Sequence, residues 1–242
     1  MAKWMVSAKR ADFDQIAGKY GISPVLARLL RNRDLETDEE IRKYLNGTKE
    51  DMYDPLLMKD MGKAAEIIRT KIQEKKTIRI IGDYDVDGIC ASYLLLKGLR
   101  ELGAQVDVVI PHRMKDGYGL NDNLIRDALA AGIDTVLTCD NGIAATPQIR
   151  MAKENGMTVV VTDHHEVPYE EKDGQRTYLL PPADAVIDPK QPDCGYPFKG
   201  LCGAAVAYKL VEALFRVMGK DPKGLERLIE NVAIATVGDV MD

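Results

Sequence analysis

Cysteine, histidine and large aromatic residues are scarce in this 242-residue chain, which has four Cys, three His, one Trp and three Phe. The cysteines (Cys90, Cys139, Cys194 and Cys202) form no CxxC pair. That argues against a thiolate zinc site or a dithiol redox motif, and it suits a reduced, cytoplasmic setting. No stretch approaches the roughly 18 consecutive apolar residues of a membrane span. The N-terminal residues lack the apolar core of a signal peptide. Excess positive charge is missing too. The formal net charge of −5 argues against a uniformly basic nucleic-acid surface, although a cation-loaded site would reverse the sign locally. What remains is the make-up of an ordinary soluble folded protein. With 45% hydrophobic and 29% charged residues, the chain can build one large domain or two small ones, at roughly 100–200 residues each.

The run from Thr77 to Leu96 organises the rest. Ile78, Ile80 and Ile81 read as a short buried strand that stops at Gly82. Asp83, Asp85 and Asp87 follow at alternate positions, and Gly88 opens an apolar helix. Open α/β sheets place their ligands at the C-terminal ends of strands. Three carboxylates within five residues repel one another, and a divalent cation between them is the simplest remedy.

On either side of this run the patterning changes. Residues 1–75 read as all-helical. Ser23-Pro24 marks a helix start, Thr37 to Glu40 forms a capping box, and apolar positions recur at helical spacing from Met61 to Ile72. The charges of that region alternate in sign, as on a solvated face. From Thr77 onward, strands at 77–82, 105–110, 135–139 and 157–162 alternate with helices at 88–102, 121–131 and 146–154. This is the signature of βαβ units in a mostly parallel, doubly wound α/β sheet flanked by helices. The strands are nearly unbroken apolar runs (VDVVI, DTVLT, TVVVT), as expected when helices cover both faces. Residues 166–200, rich in proline, read as a surface insertion with one strand at 184–187. Helices at 203–218 and 225–237 complete the chain. The division expected is a helical N-terminal region, 1–75, and a catalytic domain, 76–242, cut short before a further domain.

Parallel strands bring their polar ends to one rim. The first supplies Asp83, Asp85 and Asp87, the third Asp140 and Asn141, and the fourth Asp163, His164 and His165. Two adjacent histidines facing this many carboxylates read as metal ligands. Mixed oxygen and imidazole ligation favours Mn²⁺, with Mg²⁺ next. The surplus of carboxylates suits two ions sharing a ligand, as in two-metal phosphoryl transfer.

Four motifs in order, GDYDVDG, CDNG, TDHH and a GDV near the C-terminus, resemble those of the DHH phosphoesterase superfamily. Within it, the opening Lys3-Trp4, ISPVLARLL, PHRMKDGYGL and DPKQPDCGYPFKGLCGAAVAYKL resemble the RecJ-like branch of single-strand-specific exonucleases. The resemblance implies a metal-dependent phosphodiesterase that hydrolyses single-stranded DNA 5′→3′ to mononucleotides by two-metal activation of water. It implies metal ligands at Asp85, Asp87, Asp140, His164 and Asp239, with Asp140 as bridge and Asp83 as an auxiliary ligand. His165 falls to the scissile phosphate or the attacking water, and Asp163 to orienting a histidine, so that His165, Asp87 and Asp163 carry the catalytic roles. Arg113, Lys115, Tyr118 and, with less support, Lys199 and Lys209 are expected to touch DNA. Pyrophosphatase relatives begin the first motif with histidine where this chain has Ile81, which implies weaker holding of one ion. Single-strand-binding protein and a helicase are the implied partners, and DNA repair and recombination the implied setting. Two other readings remain open: a phosphoesterase of oligonucleotides, cyclic dinucleotides or phosphonucleotides, and a non-catalytic replication scaffold.

Overall fold

A computed structural model describes residues 3, 9–114, 117 and 119–241. They divide into two compact units, one ending at Tyr53 and one running from Asp54 to Met241. The smaller unit holds α1 (Phe13–Tyr20), α2 (Pro24–Asn32) and α3 (Asp38–Asn46). Each begins at a side-chain cap from Asp12, Ser23 or Thr37, and Glu40 closes the expected capping box on the Thr37 backbone. These caps satisfy N–H groups that no helical carbonyl can reach.

The larger unit comprises α4 (Met61–Gln73), β1 (Thr77–Ile81), α5 (Val86–Glu101), β2 (Gln105–Val109), α6 (Asp122–Ala130), β3 (Thr135–Cys139), α7 (Thr146–Glu154) and β4 (Thr158–Thr162). It continues through β5 (Tyr169–Lys172), β6 (Gln175–Tyr178), β7 (Ala185–Ile187), α8 (Gly203–Val217) and α9 (Ile229–Gly238). The sheet runs β2-β1-β3-β4-β7 with every pairing parallel. Both faces are covered. Ile78, Ile80, Leu137 and Val160 point to a core shared with α4, α5 and α8, while Ile81, Val136, Val159 and Val161 point to one shared with α6 and α7. Each such burial is worth about 1.5–3 kcal/mol, which explains the Val and Ile content of the strands.

The order of the strands positions the site. The chain steps outward from β1 to β2, then returns past β1 to β3. The loops leaving β1 and β3 therefore diverge at the point where winding reverses, opening a crevice between their C-terminal ends.

Four expectations change. The helix drawn with the N-terminal region, α4, packs in the larger unit because Met61, Ala64, Ala65 and Ile68 are buried in the sheet's core. α5 begins at Val86, with Asp85 as its N-cap, so Asp87 lies in the first turn rather than before the helix. The insertion contains an exposed antiparallel hairpin, β5–β6, turned at Asp173 and Gly174, both at positive φ. That pair is a type I′ turn signal present in the sequence. The last helix is split, with a 3₁₀ segment Pro222–Leu228 leading into α9.

Candidate metal centre

At the mouth of the crevice, three loops and the end of α9 deliver their side chains to one place. Asp85 accepts the Gly88 N–H at 2.9 Å as the cap of α5. Asp83 is fully buried and accepts the Tyr84 N–H at 2.8 Å. Asp87 is buried in the first turn of α5, and both its oxygens accept backbone N–H groups of α8, from Gly203 at 2.6 Å and Ala204 at 2.7 Å. Beyond β3, Asp140 is buried at φ +60°, a left-handed conformation that aspartate tolerates better than most residues. Asp239 caps the C-terminus of α9, where the helix dipole disfavours a carboxylate and would favour a cation.

His164 lies at the centre. Its Nε2 is 3.0 Å from Asp140 Oδ1, 3.5 Å from Asp87 Oδ2 and 3.6 Å from Asp239 Oδ2. Despite those distances, neither ring nitrogen of His164 nor Asp140 Oδ1 makes a hydrogen bond among the described residues, and all three atoms are sealed from solvent. Buried polar atoms left in this state cost about 1–3 kcal/mol each, and a cation bound at His164 Nε2 would satisfy that nitrogen and Asp140 Oδ1 together. Three groups of ligand atoms lie within 4.8 Å of one another: Asp140 with His164 and His165; Asp87 with His164 and Asp239; and Asp83 with Asp85 and Asp140. Ligands of a single ion at about 2.0–2.6 Å stand that close. His164 and Asp140 are each common to two groups, so the donor set fits two neighbouring divalent ions.

Electrostatics agree with the geometry. Burial, reinforced by the charges of Asp87, Asp85 and Asp163, pushes the Asp140 carboxyl up to about 10. Burial also raises Asp87, against the pull of the Ala204 and Gly203 N–H groups. Without a cation the cluster cannot carry all its charge. Asp163 behaves oppositely. Burial opposes its ionisation, yet the hydrogen bond and charge of His165 and the N–H groups of Ile143 and His164 hold it below the usual carboxylate range. Its Oδ1 lies 2.7 Å from His165 Nδ1, and this contact raises the His165 pKa. Asp163 therefore orients His165, and its other oxygen takes the Ile143 N–H at 2.8 Å.

The profile of the DHH family's N-terminal domain matches residues 77–236. The chain belongs to the DHH family. Within this family it is 39% identical over 242 residues to the single-stranded-DNA-specific exonuclease RecJ of Bacillus subtilis, covering 99% of this chain and 29% of that protein. It is 32% identical to RecJ of Escherichia coli, covering 99% of this chain and 41% of that one. A crystal structure of exonuclease RecJ bound to manganese superposes with a TM-score of 0.67 at 33% identity, over 78% of this chain and 46% of that one. RecJ of Thermus thermophilus in complex with Mn²⁺ gives a TM-score of 0.69 at 28% identity, over 94% of this chain and 30% of that one. This DHH chain thus spans less than half the length of the relatives it matches.

Of the residues expected at the site, Asp83, Asp85, Asp87, Asp140, His164, His165 and Asp239 converge. Arg113 stacks on the Tyr84 ring at 5.2 Å, beside the first carboxylate loop. Lys115 and Tyr118 lie outside the described residues. Lys199 donates its ammonium to the Cys194 carbonyl at 2.7 Å, and Lys209 is buried with Glu212 at 3.1 Å, so each has an internal partner. Two features escaped sequence reasoning. The sequence marks Gly203 and Ala204 only as the start of an apolar helix. Asp188, fully buried after β7 with its carboxyl pushed up to about 7 chiefly by burial, obeys the same strand-end rule that found Asp140 and Asp163.

Proposed function

We propose that this chain carries the catalytic centre of a metal-dependent phosphodiesterase acting on single-stranded DNA from its 5′ end and releasing mononucleotides. The observation that carries the proposal is the meeting of three carboxylates at the unbonded Nε2 of His164. The curated relatives are named single-stranded-DNA-specific exonucleases, and solved relatives hold Mn²⁺ or Mg²⁺.

Asp85, Asp87, Asp140, His164 and Asp239 would hold two ions, Mn²⁺ or Mg²⁺, with Asp83 in support. Bound there, the ions supply Lewis-acid activation of water and charge neutralisation at phosphorus. The chain's own residues do the rest. Asp163 fixes the His165 ring and favours its protonated form, so His165 presents a hydrogen-bond donor to a phosphate oxygen. Burial of Asp83, Asp87 and Asp140 keeps competing water out and strengthens each charge interaction. Arg113, held on Tyr84, supplies a guanidinium for the DNA backbone close to the first carboxylates. Lys115 and Tyr118, from the same PHRMKDGYGL run of the sequence, are proposed to share in that DNA contact.

Single-strand-binding protein and a helicase are the proposed partners, DNA repair and recombination the setting, and the cytoplasm the location. No helix among the described residues is long and apolar enough to cross a membrane. Residues 76–242 are the proposed catalytic domain, acting with a substrate-gripping domain of the kind the longer relatives have length for.

A 5′-labelled single strand incubated with Mn²⁺ should yield mononucleotides while blunt duplex is spared. Asp140→Ala should lower that rate by roughly 10³-fold or more, since several kcal/mol of transition-state stabilisation depends on the ions. Preferential cleavage of dinucleotides would favour a small-substrate phosphoesterase instead.

A further inference from the structure

We propose that the N-terminus of α8 sets the spacing of the carboxylate centre, with Gly203 as the positioning residue that seats Asp87 against Asp140. The inference rests on the metal-dependent reading above and adds what holds the ligands in register.

α8 has 15 residues, and its N-cap, Cys202, makes no side-chain capping bond. The cap comes instead from Asp87, 116 residues earlier in the chain, whose two oxygens take the first two N–H groups of the helix. A helix N-terminus is a ready anion seat, and here the anion is a side chain of the centre itself. With both oxygens held, the carboxylate cannot rotate, and Oδ2 stays 3.5 Å from His164 Nε2.

The other side of Gly203 faces the second carboxylate. A Cβ there would fall 2.7 Å from Asp140 Cβ and 2.7 Å from its Oδ1. Asp140 has little room to yield, because it is buried and its backbone is already left-handed. One glycine therefore donates to Asp87 through its nitrogen and touches Asp140 through its α-carbon. Two mutually repelling carboxylates are kept apart by the backbone of one rigid helix. A second close approach fixes how that helix lies on α5. A Cβ on Gly98 would meet Val211 Cγ1 at 2.4 Å, so the far end of the pair is as tightly set as the site end.

The test uses the full 242-residue chain and Mn²⁺ as probe. Dissociation constants are measured by calorimetry and the Mn²⁺ electron paramagnetic resonance spectrum is recorded for wild type, Gly203→Ala, Ala204→Pro and Gly98→Ala. Proline is tolerated in a first helical turn, so Ala204→Pro deletes one N–H donor to Asp87 without adding bulk beside Asp140. Both α8 variants should bind Mn²⁺ about 10–100-fold more weakly, the range seen when a group supporting a ligand is lost, with an altered spectrum. Gly98→Ala, which forces α8 off α5 at Val211, should lower Tm and weaken Mn²⁺ binding by less than either α8 variant does. Wild-type affinity and spectrum in Ala204→Pro would overturn the inference, even if Gly203→Ala failed to fold. A wild-type chain that takes up no Mn²⁺ would overturn the metal-dependent reading itself, and this inference with it.

Discussion

The two ends of the sheet both carry buried or half-buried acids and treat them in opposite ways. At the N-terminal end each acid has a lysine. Lys71 lies 2.6 Å from Asp134, and Lys153 reaches both oxygens of Asp184 at 2.7 and 2.6 Å. At the C-terminal end, Asp87, Asp140 and Asp239 face one another and a histidine, and among the described residues none of the three has a lysine or arginine partner. One end is neutralised by the chain, and the other is left for a charge from outside. The difference shows that the charge imbalance belongs to the site, since the same fold pairs its acids where no ligand is needed.

The largest stability contrast between the two ends should appear in the metal-free protein. Asp140 is more basic in the folded chain than in the unfolded one, where a carboxyl has a pKa of about 4, so the folded state binds the extra proton. Folding stability should therefore fall as pH rises from the unfolded value toward the folded value of about 10. Asp140→Asn removes that proton uptake. Thermal melts in chelator at mildly alkaline pH should show the variant more stable than wild type by about 1–4 kcal/mol, a gain of several degrees. In Mn²⁺ the order should reverse. Equal melts in chelator would mean that Asp140 bears no electrostatic strain.

How much of this was legible in the sequence follows the range of the interactions involved. The parallel strands, the Ser23 and Thr37 caps and the shared rim of Asp83, Asp85, Asp87, Asp140 and His164 were readable, because periodicity, capping and strand direction are local or near-local rules. The β5–β6 hairpin was also signalled, by Asp173-Gly174, but the surrounding prolines masked it. The capping of α8 by Asp87 and the internal partners of Lys199 and Lys209 could not be read. They depend on where α8 and the loop before it come to rest on the sheet, and no spacing in the sequence encodes that.

A smaller effect is expected at the opposite end. Among the described residues, Lys153→Met leaves Asp184 with the Val159 N–H at 2.7 Å. The pair is about one-third exposed, so its loss should cost only about 1 kcal/mol. Urea melts should show that loss with an unchanged Mn²⁺-induced rise in Tm. A variant that also lost the Mn²⁺ effect would show that the two ends are coupled.

The most direct test of the account is anomalous scattering from a crystal grown or soaked in Mn²⁺. The account expects manganese peaks within bonding distance of His164 Nε2 and of carboxylate oxygens from Asp140, Asp87 and Asp239, with Asp140 in contact with both ions where two are present. A crystal in which His164 and Asp140 stay unliganded at saturating Mn²⁺, or in which the peaks fall on other acidic residues, would contradict it.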